Sequence, residues 1–203
     1  MLGLTAVWLV WAGMGMAGAQ DAPGSLKVPD GVMFEKGITY GTAAGQALLL
    51  DLAKPKEGAG PFPALVLVHG GGWAAGDRSA YHAPMLAWAK LGIVCVSVDY
   101  RLAPEHPFPA AVDDSWAALR WLAEAGESLG IDATRLGVMG YSMGARITAF
   151  LSIKHPERVR SAIFAGLGIN MVRGLAGTGP IAHALEAVRR VAGNSALRIR
   201  ADV

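Results

Sequence analysis

The feature that most constrains this chain is a series of short, continuous apolar runs separated by longer helix-like segments. The clearest runs are ALVLV at residues 64–68, IVCVSV at 93–98 and LGVM at 136–139. A run of this length without alternating polar residues is typical of a strand buried on both faces. Because buried strands that alternate with helices form parallel βαβ units, the sequence predicts an α/β fold, a three-layer α/β/α sandwich with a mostly parallel sheet.

The remaining segments complete this pattern. Two apolar stretches flank a turn at residues 41–46 and predict a hairpin that precedes the parallel strands. The hairpin strands are expected at 36–40 and 47–52, a later strand at 160–165, and helices at 79–91, 109–129 and 142–154. The longest helix is amphipathic and carries Val112, Trp116, Leu119 and Leu122 on one side.

Composition excludes several classes of protein. With 53% hydrophobic and 17% charged residues, the 203-residue chain is neither a disordered polymer nor a coiled coil. A net charge of +2 indicates no nucleic-acid partner. The only cysteine, Cys95, excludes a disulfide framework and a CxxC-type zinc or redox site. No motif in the sequence indicates another metal site or a cofactor, so we expect neither.

The first 20 residues are typical of an export signal. Residues 2–20 carry no charge and include Ala-Gly-Ala at 17–19, which predicts a signal peptide over 1–19 and a secreted or periplasmic protein. Because no Lys or Arg precedes the apolar stretch, an uncleaved membrane anchor and a wrongly chosen start codon remain alternatives. We expect a linker at 20–35, the folded core at 36–168 and an atypical tail at 169–203.

Two glycine-rich motifs follow predicted strands. GYSMG at 140–144 lies between a strand and a helix, where small residues permit a tight turn that exposes Ser142 as a candidate nucleophile. HGGGW at 69–73 follows another strand, and its glycines allow backbone amides to approach a substrate. The alternative interpretations are a serine helix cap with a packing glycine, and a glycine turn shaped only by packing.

Together with DYRLAPEHPFPAAVDD at 99–114, these motifs resemble the α/β-hydrolase superfamily. The nearest likeness is to carboxylesterases of the acetyl-esterase/lipase, hormone-sensitive-lipase-like and feruloyl-esterase-like group, over about residues 39–168. The resemblance implies that Ser142 forms the acyl intermediate and that the oxyanion hole consists of Gly71, Gly72 and the Met143 amide. It also implies that His69 shapes its loop and is not the catalytic base.

The segment at 99–114 also invites a different interpretation, because its charged residues could form a metal or acid/base cluster. Three prolines stiffen this segment as a loop, and its last two carboxylates fall at a helix start, so we expect structural roles. The residues concerned are Arg101, Glu105, His106, Asp113 and Asp114. Asp77, which lies just before the helix predicted at 79–91, is expected to cap that helix.

Four aromatic side chains allow two interpretations, as the lining of an acyl or leaving-group pocket or as core packing. They are Tyr40, Trp73, Tyr81 and Trp88.

The catalytic acid and base of a serine esterase are hard to place. In this fold they follow the serine in the order acid, then histidine, and the histidines after Ser142 are His155 and His183. His155 lies about 20 Å along the predicted helix and cannot reach the serine. Glu157 and His183 have the right order, but Glu157 precedes the next strand instead of following a later one.

Only 36 residues follow Leu167, too few for two further strand and helix steps. The sequence therefore predicts that the C-terminal strands are missing, as in a truncated or frameshifted hydrolase.

The sequence is compatible with three functions. The first is a serine carboxylesterase acting on short acyl esters, including acetyl or hydroxycinnamoyl groups on polysaccharide. The second is a catalytically deficient remnant that serves as a binding module, and the third is a serine peptidase of the same fold. The expected partner is a small-molecule or polysaccharide-linked ester, with membrane contact only if the first segment is not cleaved.

Overall fold

The computed structural model describes residues 26–166, which contain a single six-stranded sheet flanked by helices. The predictions for the signal peptide, for the tail at 169–203 and for His183 lie outside these residues. The strands are β1 (Val32–Ala43), β2 (Gln46–Pro55), β3 (Phe62–Val68), β4 (Val94–Val98), β5 (Ile131–Tyr141) and β6 (Ser161–Ala165). The α helices are α1 (His82–Lys90), α2 (Ala110–Glu124), α3 (Gly126–Leu129) and α4 (Met143–Lys154), and a 3₁₀ helix (Arg78–Tyr81) precedes α1.

The sheet confirms the predicted mostly parallel arrangement. The strand order is β1-β2-β4-β3-β5-β6. The hairpin of β1 and β2 is antiparallel, and β2 also pairs antiparallel with β4. From β4 onward all neighbours are parallel, so the carboxyl ends of β3 and β5 meet at one edge of the sheet. This edge is where loops of an α/β protein assemble a site.

Side chains of the central strands alternate between two cores. Val66 and Val68 of β3 pack with residues of α2 and α4, whereas Leu65 and Leu67 pack with residues of α1 on the other face. All four are buried. Because a strand exposes successive side chains to opposite faces, an uninterrupted apolar run can fill both cores. The predicted three-layer sandwich is therefore confirmed.

Several element boundaries differ from the predictions. Strand β1 begins at Val32, inside the predicted linker, and β5 begins at Ile131, five residues before the predicted strand. The apolar pattern did not predict the start of β5, because polar residues occupy it. Asp132 accepts hydrogen bonds from its neighbours Thr134 and Arg135 there. None of the helices within residues 26–166 combines the length and apolar character that crossing a membrane requires.

The charged segment after β4 has the structural role that the sequence predicted. Asp114 is 2% exposed, and both of its carboxylate oxygens accept hydrogen bonds from Arg101. The Arg101 amide donates a further hydrogen bond to Asp114, at 2.9 Å. Asp77 caps the 3₁₀ helix by accepting a hydrogen bond from the Ser79 amide. Within residues 26–166, no group of three or more His, Cys, Asp or Glu side chains could hold a metal ion.

The adjacent carboxylates Asp113 and Asp114 provide a matched test of this ion pair. We expect Asp114→Ala to lower the free energy of unfolding by about 3 kcal/mol, because it leaves the Arg101 charge without its partner. Asp113 is 58% exposed and lies 4.0 Å from Lys154, so Asp113→Ala should cost less than about 1 kcal/mol. Urea unfolding of both variants measures the difference, and equal losses would contradict the assignment.

Candidate active site

Ser142 lies in the turn that joins β5 to α4, as the sequence predicted. Its backbone has φ 54° and ψ −115°, a conformation that residues other than glycine rarely adopt. Helix α4 begins at the next residue, Met143, and Ser142 is exposed among the described residues. The backbone amide of Ser142 donates to the Ala165 carbonyl of β6 at 2.9 Å. A strained and anchored turn of this kind is common at functional sites.

The two glycines of GYSMG are required by close backbone packing. A Cβ atom at Gly140 would lie 2.1 Å from the backbone of Gly144. A Cβ atom at Gly144 would lie 2.0 Å from the carbonyl oxygen of Val68, the last residue of β3. These distances are shorter than any ordinary contact, so the turn can pack against β3 only with glycine at both positions.

A single methyl group tests this packing. Gly144→Ala should destabilise the fold by about 3 kcal/mol or more, because the Val68 carbonyl cannot move without breaking the end of β3. Gly41 of β1 is the control, since a Cβ atom there would meet only a Leu48 side-chain carbon at 3.8 Å. Gly41→Ala should stay within about 1 kcal/mol of the original chain in the same thermal or urea unfolding experiment. A stable Gly144→Ala variant would contradict this account.

The HGGGW loop lies beside Ser142. A Cβ atom at Gly70 would be 3.3 Å from the Ser142 Cβ and 3.0 Å from the Tyr141 carbonyl oxygen. Gly71 and Gly72 follow with φ values of 122° and 62°, in the region that favours glycine, and both are exposed among the described residues. The structure therefore brings together the two motifs, which are about 70 residues apart in the sequence.

The buried His69 side chain supports the HGGGW loop. The residue is 1% exposed, and its ring stacks on Tyr100 with the centroids 4.2 Å apart. Burial lowers the pKa of His69, and its Nδ1 lies 2.6 Å from the Gly70 carbonyl oxygen. Since a carbonyl only accepts, Nδ1 carries the proton of this hydrogen bond. The C=O and N–H of a trans peptide point in opposite directions, so the Gly71 N–H points away from His69.

A buried polar network holds the segment that follows this loop. Asp51 of β2 accepts hydrogen bonds from the Gly37 amide, Arg78 Nε and His82 Nε2, at 2.8, 2.8 and 2.5 Å. The Arg78 guanidinium also pairs with Asp99, and the Arg78 amide donates to Asp99 at 2.7 Å. Burial by itself would raise the pKa of Asp51, but the hydrogen bonds that its carboxylate accepts outweigh burial and hold the pKa below its usual range.

The lowered pKa of Asp51 predicts how acid affects stability. The ionised carboxylate stabilises the fold above its unfolded pKa of 3.8, and this contribution is lost as the pH falls through the lower folded-state value. Asp51→Asn should therefore cost about 2 kcal/mol near neutral pH, and the cost should shrink as the pH falls below 3.8. Urea unfolding of Asp51→Asn and the original chain between neutral and acid pH measures how this difference in the free energy of unfolding decreases. Glu35→Gln, at an exposed position of β1, is the control. A difference independent of pH would contradict the assignment.

The other sequence candidates lie elsewhere. The rings of Tyr40, Tyr81 and Trp88 are buried in the two cores. Of the two interpretations, pocket lining and core packing, core packing is therefore the correct one for these rings. Trp73 is half-buried, and its ring meets Phe108 edge-on at 6.1 Å.

His155 follows the last residue of α4, as predicted, and stacks on Trp116 at 3.4 Å. The whole length of the helix separates it from Ser142. Its Nδ1 lies 3.9 Å from Glu157, whose side chain is 63% exposed.

Sequence reasoning missed the polar network and the role of Tyr100, whose hydroxyl donates to the His69 carbonyl at 2.9 Å. The two residues that each of these hydrogen bonds joins lie 14 to 31 positions apart in the sequence, and no local pattern predicts such pairs.

Comparison with known proteins decides the family. Residues 65–193 match a family described as having the alpha/beta hydrolase fold. This chain belongs to the α/β hydrolases. It is 49% identical over 93 residues to the carboxylesterase NlhH of Mycobacterium tuberculosis, a stretch that covers 45% of this chain and 29% of that protein.

Solved structures of esterases show the same likeness. A bacterial heroin esterase superposes with a TM-score of 0.62 and 33% identity, covering 70% of this chain and 45% of that one. A hyperthermophilic esterase from the archaeon Pyrobaculum calidifontis gives a TM-score of 0.58 and 32% identity, covering 68% and 45%. The chain thus resembles esterases of the α/β-hydrolase fold and spans less than half the length of these relatives.

Proposed function

We propose that this α/β hydrolase is a serine carboxylesterase that hydrolyses short acyl esters. The observation that carries the proposal is the approach of the glycine loop to Ser142, with Gly70 close enough that a Cβ atom there would lie 3.3 Å from the Ser142 Cβ. This contact sets a hydroxyl beside a loop whose next two residues, Gly71 and Gly72, are exposed glycines. The carboxylesterase and esterase relatives support the same reaction class.

In the proposed reaction, the Ser142 Oγ attacks the ester carbonyl carbon and loses its proton to a base. The carbonyl oxygen becomes an oxyanion, which the amides of Gly71, Gly72 and Met143 stabilise by hydrogen bonds. The Met143 amide suits this role because it lies in the first turn of α4, where N–H groups lack helical partners. The positive end of the helix dipole is also at this turn. Collapse of the intermediate breaks the ester C–O bond, and the base returns its proton to the departing alcohol. Water then attacks acyl-Ser142 with loss of a proton to the same base, and the acid is released as Ser142 Oγ takes that proton back.

The proposed substrate is a small-molecule ester or an acyl group on polysaccharide, such as an acetyl or hydroxycinnamoyl ester. We further propose that the chain is exported, with residues 1–19 as a signal peptide. An exported esterase would meet polysaccharide esters outside the cytoplasm. The proposed chemistry requires no metal or cofactor, because the nucleophile and the oxyanion donors are groups of the chain itself.

A second candidate, a catalytically deficient binding module, is favoured by the positions of two histidines. The His69 ring is buried against Tyr100, and its Nδ1 is engaged by the Gly70 carbonyl. His155 lies beyond the far end of α4 from Ser142. Within residues 26–166, no hydrogen bond joins a histidine to the Ser142 side chain. Such a module would keep the loop and the serine but lack efficient turnover.

Hydrolysis of p-nitrophenyl acetate by the purified 203-residue chain distinguishes the two functions. The esterase proposal predicts many turnovers per molecule, and Ser142→Ala should reduce kcat by at least about 10³-fold because the nucleophile is removed. Ser128→Ala is the matched control, because Ser128 of α3 is exposed. Within residues 26–166, the one hydrogen bond of its hydroxyl is donated to the Ala125 carbonyl. Its activity should be unchanged.

Two results would count against the esterase. Turnover that survives Ser142→Ala would place the chemistry elsewhere, and folded protein without turnover would support the binding module. Circular dichroism of each sample establishes that the protein is folded before either conclusion is drawn.

A further inference from the structure

Three aromatic rings from three segments of the chain lie in contact next to the glycine loop. Trp73 ends the HGGGW motif, Phe108 lies in the proline-rich segment before α2, and Phe150 belongs to α4. The Phe108 ring meets Trp73 edge-on with the centroids 6.1 Å apart, and its centroid lies 5.2 Å from that of Phe150. Aromatic pairs at these separations attract each other. We call these three side chains the aromatic surface.

Phe108 supplies the exposed part of the aromatic surface. It is 57% exposed, whereas Trp73 and Phe150 are half-buried and pack on the core that α2 and α4 cover. Single exposed apolar side chains are ordinary on a protein, but a contiguous apolar patch is typical of a binding site. The Phe108 ring is therefore an exposed ring held in place by two others.

The backbone of Trp73 is strained. Its φ is 72°, in the region that favours glycine, and its carbonyl accepts a hydrogen bond from the Ala103 amide at 2.8 Å. This hydrogen bond ties the end of the glycine loop to the segment that carries Phe108. Strained residues of this kind concentrate at ligand-binding and catalytic sites. The strain thus indicates a role in the site independently of the exposed ring.

The aromatic surface is continuous with the candidate active site. Trp73 lies in a tight turn, because the amides of the next two residues donate to the Gly71 carbonyl. Gly71 belongs to the loop that approaches Ser142. Phe150 follows Ser142 by eight residues, which is about 12 Å along α4 at 1.5 Å per residue. The rings therefore extend from the loop beside the serine to a point two turns along the helix.

The size of the aromatic surface indicates what it binds. A single aromatic side chain offers at most about 250 Å², and two of these three are half-buried. A stable protein interface needs about 800 Å² from each partner. The three rings are therefore too small a surface for a protein partner and suit a short apolar group of a small molecule.

We propose that the aromatic surface binds the apolar group of an ester, on its acyl or its alcohol side, while the ester carbonyl lies between Ser142 and the glycine loop. Phe108 is then a specificity-determining residue, because its ring is the exposed part of the surface. This role in specificity rests on the proposed esterase function, whereas the binding of an apolar group does not.

Three variants isolate the contribution of the Phe108 ring. Phe108→Ala removes the ring, and Phe108→Leu keeps an apolar side chain at the same place. Leu91→Ala is the matched control, since Leu91 is 60% exposed and follows α1, which packs on the opposite face of the sheet. Circular dichroism establishes that each variant is folded.

Ester selectivity is the first measurement. The acyl arm compares kcat/KM for p-nitrophenyl hexanoate with that for p-nitrophenyl acetate, and the alcohol arm compares hexyl acetate with ethyl acetate. In Phe108→Ala, one of these ratios should fall about tenfold, because the longer group loses its apolar contact. The arm that falls identifies the side of the ester that the surface binds. Phe108→Leu should stay within about threefold, and Leu91→Ala should keep both ratios.

Binding of 2-octanone, a ketone with a hexyl group that cannot be hydrolysed, is the second measurement. In the nitrogen-15-labelled 203-residue chain, Trp73→Phe identifies the indole N–H signal of Trp73 among those of the six tryptophans. Addition of 2-octanone should shift this signal, and the shift should be smaller in Phe108→Ala. Acetone, which lacks the hexyl group, should leave the signal unchanged at the same concentration.

The two proposals fail in different ways. If the unaltered chain shows no Ser142-dependent turnover, the esterase function fails, and the ketone titration alone decides whether the aromatic surface binds apolar groups. Two unchanged ratios in an active Phe108→Ala enzyme would overturn the role of Phe108, as would equal losses in Leu91→Ala or in Phe108→Leu. A Trp73 signal that 2-octanone does not shift would overturn the binding itself.

Discussion

The approach of Gly144 to the Val68 carbonyl is the constraint on which the site depends. At this point the turn after β5 packs directly on the end of β3, without an intervening side chain. The contact holds Ser142 in a conformation with positive φ and starts α4 beside the glycine loop. The parallel register of β3 and β5 brings both strand ends to the same edge, and the glycines then allow the loops to meet.

Around this contact, the protein uses buried polar groups to secure backbone that has no regular partners. His69, Tyr81 and Tyr100 each place a ring in the core and a polar atom on a carbonyl near the site. A loop cannot satisfy its own carbonyls as a strand does, and an unpaired buried carbonyl costs free energy. The rings of these residues therefore pack in the interior, and their polar atoms also orient the backbone near the site.

Charged residues stabilise the outer part of the same edge. Asp51 and Arg78 connect β2 to the segment after the glycine loop, while Arg101 and Asp114 close the loop that leads into α2. Each pair includes a buried carboxylate with several donors, which offsets the cost of removing the charge from water. Within residues 99–114, the buried ion pair of Arg101 and Asp114 has the structural role that the sequence predicted.

Sequence by itself determined the α/β class, the parallel orientation of the buried strands and the placement of Ser142 between a strand and a helix. These features depend on local patterns, since an apolar run filling two cores and a glycine turn are both visible within a few residues. The start of β1, the early start of β5 and the contacts of His69, Asp51 and Tyr81 were decided only by the tertiary structure. They join residues far apart in the chain, and a local pattern carries no information about which distant carbonyl or carboxylate a side chain will meet.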